Sequence, residues 1–311
     1  MSRRADVASA EVGPLHLWRL DWTPRLRALV RAEAAALDVG LQVAPGLFLG
    51  ARPFEPGRAA FAVGGGALVA RGRPEDLAAP EGLRRVKVPT GPWKPSGNPT
   101  TFLRRVAADL VAAPRREAEL ELYPVADERD WLLVRPGRWP PHFAAPDLPV
   151  RTSSSLSSRL ARAVVNLVAG PGERVWDPLC GTGVLLVEAL RCGCRARGSD
   201  LNPKACAGAR RNLAALGLEA PVEVRDALAS TDAERLDALV ADLPYGMRLE
   251  PCDYAPLLRA LPPRARRWAL VAARDLSAEL AAAGSPARLT IEVPKPTFSR
   301  YVHVGGPPRG A

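Results

Sequence analysis

From residue 153 onward the chain alternates strand-like with helical stretches, and four of the strand-like stretches end on an aspartate: Asp177, Asp200, Asp226 and Asp242. Segments 174–176, 195–199, 222–225 and 238–241 read as strands, and the short apolar runs before Asp177 and Asp242 read as buried ones. Between them, 183–191 reads as a helix. A second helix opens at Asn202 and Pro203, a cap and first-turn pair, and stops at Gly217. Segments 268–272 and 289–293 add strands, with a helix expected over 275–283. A strand–helix rhythm of this kind predicts an α/β fold, a Rossmann-like doubly wound, mainly parallel sheet. In such sheets ligands bind at the carboxyl ends of the strands, where the aspartates stand.

The first half has a different rhythm. Segment 15–20 alternates like a strand, and 24–37 carries Leu26, Leu29, Val30, Ala34 and Leu37 at helical spacing. Strands are expected at 47–50, 59–63, 67–70, 119–123 and 131–134, and a second helix at 102–113. This is an α+β pattern. Pro136, Gly137, Pro140, Pro141, Pro146 and Pro149 mark a break that disfavours helix and central strand alike. The expected division is therefore an α+β domain at 1–135, a proline-rich linker at 136–152 and the Rossmann-like domain at 153–311. A helical stripe, Leu156, Leu160, Val164, Leu167 and Val168, opens that last domain, with Thr152 to Ser155 as a source of caps.

Composition narrows the partners. The 311 residues carry a formal charge of +10, and of 43 basic residues only Lys87, Lys94, Lys204 and Lys295 are lysines. An arginine excess suits phosphate and base stacking, hence a nucleic-acid partner, although a GC-rich genome would produce the same bias. The excess is shared by both halves, so it marks no single face. No apolar run is long enough to span a bilayer, and the start has no signal-peptide pattern, so a cytoplasmic protein is expected, with a monomer favoured. The cysteines at 180, 192, 194, 206 and 252 lack zinc spacing and read as free thiols, and no metal site is expected.

Two loops carry chemistry. Asp177-Pro-Leu-Cys-Gly-Thr-Gly183 joins the first strand to its helix; its glycines let backbone N–H groups approach a ligand, but it is neither G-x-G-x-x-G nor a P-loop. Asp200, about 20 residues on, can accept two ribose hydroxyls; the competing reading is a helix-start residue. Asp226 is placed to reach an adenine amine, or is a solvated turn residue. Asp242-Leu-Pro-Tyr-Gly246 ends the fourth strand. An exocyclic amine is a poor nucleophile because its lone pair is delocalised into the ring. The Asp242 carboxylate and a backbone carbonyl held by Pro244 can accept its N–H groups and favour pyramidal nitrogen, with Tyr245 stacking on the base.

These loops, with Gly198-Ser-Asp200 and the helix over 156–167, resemble class I S-adenosylmethionine-dependent methyltransferases, and more narrowly the THUMP-associated tRNA guanosine-N2 methyltransferases. The resemblance implies that Asp177, Cys180, Gly181, Gly183 and Asp200 hold S-adenosylmethionine, that Asp226 faces adenine, and that Asp242, Pro244 and Tyr245 receive the amine. It implies N2-methylguanosine formation in tRNA, with a ferredoxin-like and THUMP-like N-terminal domain gripping the RNA. Trp93, Lys94, Arg104 and Arg105 are candidate RNA contacts there. Leu243 replaces the first proline of the wider amino-methyltransferase pattern, and Thr152 to Ser155 replace a His-Pro approach to the helix. Rival readings are a DNA adenine-N6 or cytosine-N4 methyltransferase and a non-catalytic RNA-binding protein with a vestigial cofactor fold.

Overall fold

The computed structural model describes residues 14–55, 57–73, 77, 83, 85–87, 111–114, 117–125, 130–137, 143–152, 155–229, 236–244, 253–295 and 298–309. Contacts divide the chain into two compact units.

The first unit holds one sheet, made of β1 (His16–Leu20), β2 (Leu41–Ala44), β3 (Leu47–Gly50), β4 (Ala62–Gly72), β5 (Arg85–Lys87), β6 (Val111–Ala112), β7 (Leu120–Pro124) and β8 (Trp131–Pro136). Their order is β2-β3-β1-β4-β8-β7-β5-β6. Pairing is antiparallel except where β5 meets β6 and β7. Along β8, Trp131 and Leu133 join one apolar cluster and Leu132 and Val134 another, so this strand is buried on both faces. That is why it reads as a continuous apolar run. Segments 59–63 and 67–70, expected as two strands, differ from the structure: β4 is one strand that runs straight through Gly64, Gly65 and Gly66. These glycines do not break it, because neighbouring strands approach too closely for a side chain; a Cβ at Gly66 would run into the Arg135 carbonyl. The helix expected over 102–113 is also corrected at its end, where Val111 and Ala112 are paired in β6; the rest of that segment lies outside the described residues.

The second unit takes Phe143–Ala311 and, in addition, Thr23–Leu37 and Gly57–Phe61. The expected division at 136–152 placed those two segments in the N-terminal domain. The physical reason for the difference is a buried carboxylate. Glu33 lies on α1 (Arg27–Ala36) and is fully buried. It accepts hydrogen bonds from Ala60 N at 2.8 Å, Phe61 N at 3.3 Å and Asn166 Nδ2 at 2.7 Å. Asn166 belongs to α2 (Ser158–Val168), so one side chain ties three segments together. Burial pushes the Glu33 pKa up, and the three donors work against that shift.

After α2 the expected alternation appears: β9 (Arg174–Asp177), α3 (Val184–Arg191), β10 (Arg195–Asp200), α4 (Pro203–Ala215), β11 (Val222–Val224), β12 (Leu236–Asp242), α5 (Ala255–Ala260), β13 (Ala265–Ala272), α6 (Ser277–Ala282), β14 (Leu289–Val293) and β15 (Arg300–Gly305). The order is β11-β10-β9-β12-β13-β15-β14. Strands β11 to β13 are parallel, and β15 runs antiparallel between β13 and β14. The α/β doubly wound fold is thus observed. The chain winds outward from β9 to β11, then returns to the other side of β9 as β12. That reversal opens a crevice at the carboxyl ends of β9 and β12. The cap of α2 is Ser157, whose hydroxyl accepts from Leu160 N, rather than a residue of the 152–155 run. No helix among the described residues is long and apolar enough to cross a membrane.

Replacing Glu33 by alanine strands three buried donors and should lower stability by roughly 2–4 kcal/mol in urea unfolding, with Glu33→Gln intermediate. A loss under about 0.5 kcal/mol would show that this carboxylate does not hold α1 in place.

Candidate active site

Strand register sets the geometry. Asp177 pairs with Gly198 of β10, so Asp200 stands two residues further along β10. On the other side Trp176 pairs with Leu239, and the same count places Asp242 two residues beyond Asp177 along β12. Side chains two apart share a face. Asp200 and Asp242 therefore flank Asp177 one level higher, on either side of the switch point. All three line one cleft of about 670 Å³, together with the glycine loop, Thr152, Ser155 and Pro244.

The loop after β9 is built by hydrogen bonds rather than by packing alone. Asp177 is buried, and its Oδ1 accepts from Leu179 N at 3.2 Å. Cys180 N donates to the Ser199 carbonyl at 2.9 Å, which ties the loop to β10. Gly181 N donates to Asp200 Oδ2 at 2.8 Å, and Asn202 N donates to Asp200 Oδ1 at 2.8 Å. Both oxygens of Asp200 are thereby oriented, and each retains acceptor capacity toward the cleft. Gly183 caps α3 with φ 84°, and a Cβ there would come within 3.0 Å of the Ala209 Cβ on α4. Glycine is needed for both reasons.

Burial pushes the Asp177 carboxyl well above the usual carboxylate range, and the charges of Asp242 and Asp200 push in the same direction. Burial raises Asp242 as well, to about 7, against the pull of Arg300 and then Lys295. Arg300 Nη1 reaches Asp242 Oδ2 at 3.2 Å and Oδ1 at 3.4 Å. Beyond Asp242 the backbone is fixed on two sides. Leu243 N donates to the Val271 carbonyl at 2.8 Å, and the Tyr254 hydroxyl donates to the Pro244 carbonyl at 2.8 Å.

The residues expected from sequence are distributed as follows. Asp177, Cys180, Gly181, Asp200, Asp242 and Pro244 line the cleft, while Gly183 shapes its floor from the start of α3. Tyr245 and Gly246 lie outside the described residues, as do Trp93, Lys94, Arg104, Arg105 and Cys252. Asp226 sits in the exposed turn after β11, where its Oδ1 accepts from Leu228 N at 2.9 Å. It is not among the residues that line the cleft. Cys180, Cys192, Cys194 and Cys206 are buried free thiols. Burial pushes Cys194 up to about 12 and raises Cys180 and Cys192 too, which makes them poor nucleophiles. Among the described residues, no group of three or more His, Cys, Asp or Glu is arranged to hold a metal ion.

Sequence reasoning missed three residues. Arg300 starts β15, a strand whose buried polar residues, Arg300 and His303, hide its apolar alternation at Val302 and Val304. Tyr254 precedes a helix of only six residues. Asn212, fully buried on α4, donates to the Thr182 carbonyl at 2.9 Å and exchanges two hydrogen bonds of 2.8 Å with Val150. It stitches the approach to α2 onto the glycine loop.

The arrangement can hold a ribose-bearing ligand at Asp200 and a polar planar group at Asp242, a short span apart in one cleft. Residues 149–254 match the model of the RMKL-like methyltransferase domain. A tRNA (guanine(10)-N2)-dimethyltransferase from Methanothermobacter thermautotrophicus is 41% identical over 95 residues, 30% of this chain and 28% of that protein. The enzyme of the same description from Methanocaldococcus jannaschii is 36% identical over 99 residues, 29% of this chain and 28% of that protein. This chain thus spans under a third of the length of these two relatives. Among solved structures, TrmN from Thermus thermophilus aligns over 94% of this chain and 99% of its own, with a TM-score of 0.50 and 22% identity, a likeness of fold. The family match falls on the segment that carries β9, β10, β12 and the loops between them, and over residues 149–254 this chain is similar to the RMKL-like methyltransferase domain.

Proposed function

We propose that this chain transfers a methyl group from S-adenosylmethionine to the exocyclic N2 amine of guanine in tRNA. The observation that carries the reading is Asp242, held at the rim of the cleft that also contains Asp200 and the glycine loop, with the following Leu243-Pro244 backbone fixed by Val271 and Tyr254. The match to the RMKL-like methyltransferase domain covers this part of the chain, and tRNA guanine-N2 relatives align with the chain over 95 and 99 residues.

Bound S-adenosylmethionine supplies an electrophilic methyl group on a positively charged sulfur. Residues of the cleft fit it. Asp200 presents a carboxylate oriented by Gly181 and Asn202, suited to two ribose hydroxyls. The N–H groups at the start of α3 suit the polar end of the cofactor. Asp226 follows β11, whose end pairs with β10 beside Asp200, and is assigned to the adenine amine. Asp200, together with Asp242 when ionised, makes the cleft favourable for a cation.

Asp242 has two tasks. Its carboxylate accepts an N–H of the amine, which aligns the nitrogen lone pair. The nitrogen gains a bond to carbon and must lose a proton, and an Asp242 oxygen is assigned as its acceptor. A carboxyl pKa near 7 is well matched to receive that proton near neutral pH. The arginine-rich N-terminal unit is assigned to RNA binding, with Tyr245 as the stacking surface for a base flipped out of its stack.

Transfer of labelled methyl groups to unmodified tRNA tests this. A raised carboxyl pKa means Asp242 is already protonated, and unable to take up the proton lost by the nitrogen, below about 7. The wild-type kcat/KM should therefore fall about tenfold per pH unit as pH drops below that value. Asp242→Asn should remove this acid limb and lower the rate at pH 8 by about 100-fold or more. An unchanged limb in that variant contradicts the assignment. Separately, Asp200→Ala should weaken S-adenosylmethionine binding about 10- to 100-fold by calorimetry while leaving tRNA affinity unchanged. Equal cofactor affinity would remove Asp200 from the ribose site.

A further inference from the structure

The contact between Arg300 and Asp242 has a shape that bears on which base is chosen. One guanidinium nitrogen, Nη1, spans both carboxylate oxygens, at 3.2 Å and 3.4 Å. Arg300 is almost fully buried, while the Asp242 side chain keeps 19% of its surface exposed. The arginine comes from β15 and the aspartate from β12, two strands separated in the sheet by β13. It therefore holds the carboxylate from within the protein, and the carboxylate meets the cleft on its other side. A carboxylate has about four acceptor sites, and a spanning contact of this kind engages one on each oxygen.

We infer that Arg300 is a positioning residue that keeps Asp242 ionised and presents both of its oxygens to one planar edge, thereby selecting the N1–H/N2–H edge of guanine. This rests on the guanine-N2 reading given above. The chemistry separates the bases. Guanine offers two parallel donors, N1–H and N2–H, which match the two acceptors of an ionised carboxylate. Adenine offers N6–H beside the N1 lone pair, and cytosine offers N4–H beside the N3 lone pair. An ionised carboxylate would set one oxygen against that lone pair, a repulsion that rejects both bases. A protonated carboxyl has the opposite preference, because its O–H donates to the ring nitrogen while its carbonyl accepts from the amine. The charge state of Asp242 is thus a specificity switch, and Arg300 sets it.

The groups that face Asp242 support this assignment. Arg300 reaches it from β15 and Lys295 acts on it from the connection between β14 and β15; both favour the ionised form. Burial favours the protonated form, and the charge of Asp242 in turn raises the neighbouring Asp177 at the end of β9. Among the described residues Arg300 is a cation in direct contact with Asp242, so its loss should tip the balance. Phe298 lies on the same connection, with the Arg300 guanidinium 5.8 Å and the Lys295 ammonium 5.9 Å from its ring centre, and is 44% exposed.

The test uses tRNA transcripts carrying either guanosine or 2-aminopurine riboside at the nucleotide that the wild-type protein methylates. 2-Aminopurine keeps the N2 amine but has a lone pair at N1. The wild type at pH 8 should discriminate by about 100-fold or more in kcat/KM. Arg300→Gln should move the acid limb of the pH profile up by about 1–3 pH units and shrink that discrimination at pH 7. Arg300→Lys should recover part of both. S-adenosylmethionine affinity serves as the check on folding. Equal use of the two bases by the wild type overturns the proposal, whether or not the Arg300 variants fold. So does an Arg300→Gln protein with wild-type cofactor affinity and an unmoved limb. A wild type that methylates no guanosine in tRNA defeats the underlying reading instead, and is distinguishable at the first step.

Discussion

Three carboxylates are gathered at the carboxyl ends of adjacent parallel strands, and the rest of the second unit is arranged around holding them there. Asp177, Asp200 and Asp242 follow from strand register alone, since the pairings of β9 with β10 and β12 place them on one face. Left alone, such a group would be costly through burial and mutual repulsion. Each is answered differently. Asp177 is driven toward its neutral form. Asp200 receives two backbone N–H groups. Asp242 has Arg300. The antiparallel strand β15 is what brings that arginine in, so the reversed strand has a chemical consequence as well as a topological one.

Much of the second unit could be read from residue pattern. Parallel strands buried on both faces are short apolar runs, and the aspartates that end them mark the ligand side of the sheet. Asn202 and Pro203 announced the start of α4, and the structure shows Asn202 capping Lys204 N at 2.9 Å. What escaped were residues whose role depends on distant partners. Nothing local distinguishes Arg300 from the other arginines of this chain. Its meaning comes from a contact 58 positions away in sequence. Asn212 and Tyr254 were hidden for the same reason. A closer look at Val302 and Val304 would have flagged a strand, but not its direction or its partner.

The N-terminal half was less legible, again for a physical reason. Alternation and helical spacing describe local faces, whereas Glu33 acts on segments about 27 and 133 residues away in the sequence. Its carboxylate draws α1 and Gly57–Phe61 into the second unit, so the chain leaves the first sheet and returns to it twice before the proline-rich stretch. The three glycines of β4 read as a break and proved to be a site of close backbone approach. The proposed RNA-binding role of this half rests on its composition and on the family resemblance, and is independent of the cofactor assignment.

The central claim joins a cofactor site at Asp200 to an amine site at Asp242 and names guanine N2 in tRNA as the acceptor. Its most direct test is nucleoside mass spectrometry of unmodified tRNA after incubation with the purified chain and S-adenosylmethionine. The account predicts a new mass of N2-methylguanosine or its dimethyl form, absent when Asp242 is replaced by alanine. Methylation of adenosine or cytidine instead, or of no nucleoside while the protein still binds S-adenosylmethionine, would contradict it.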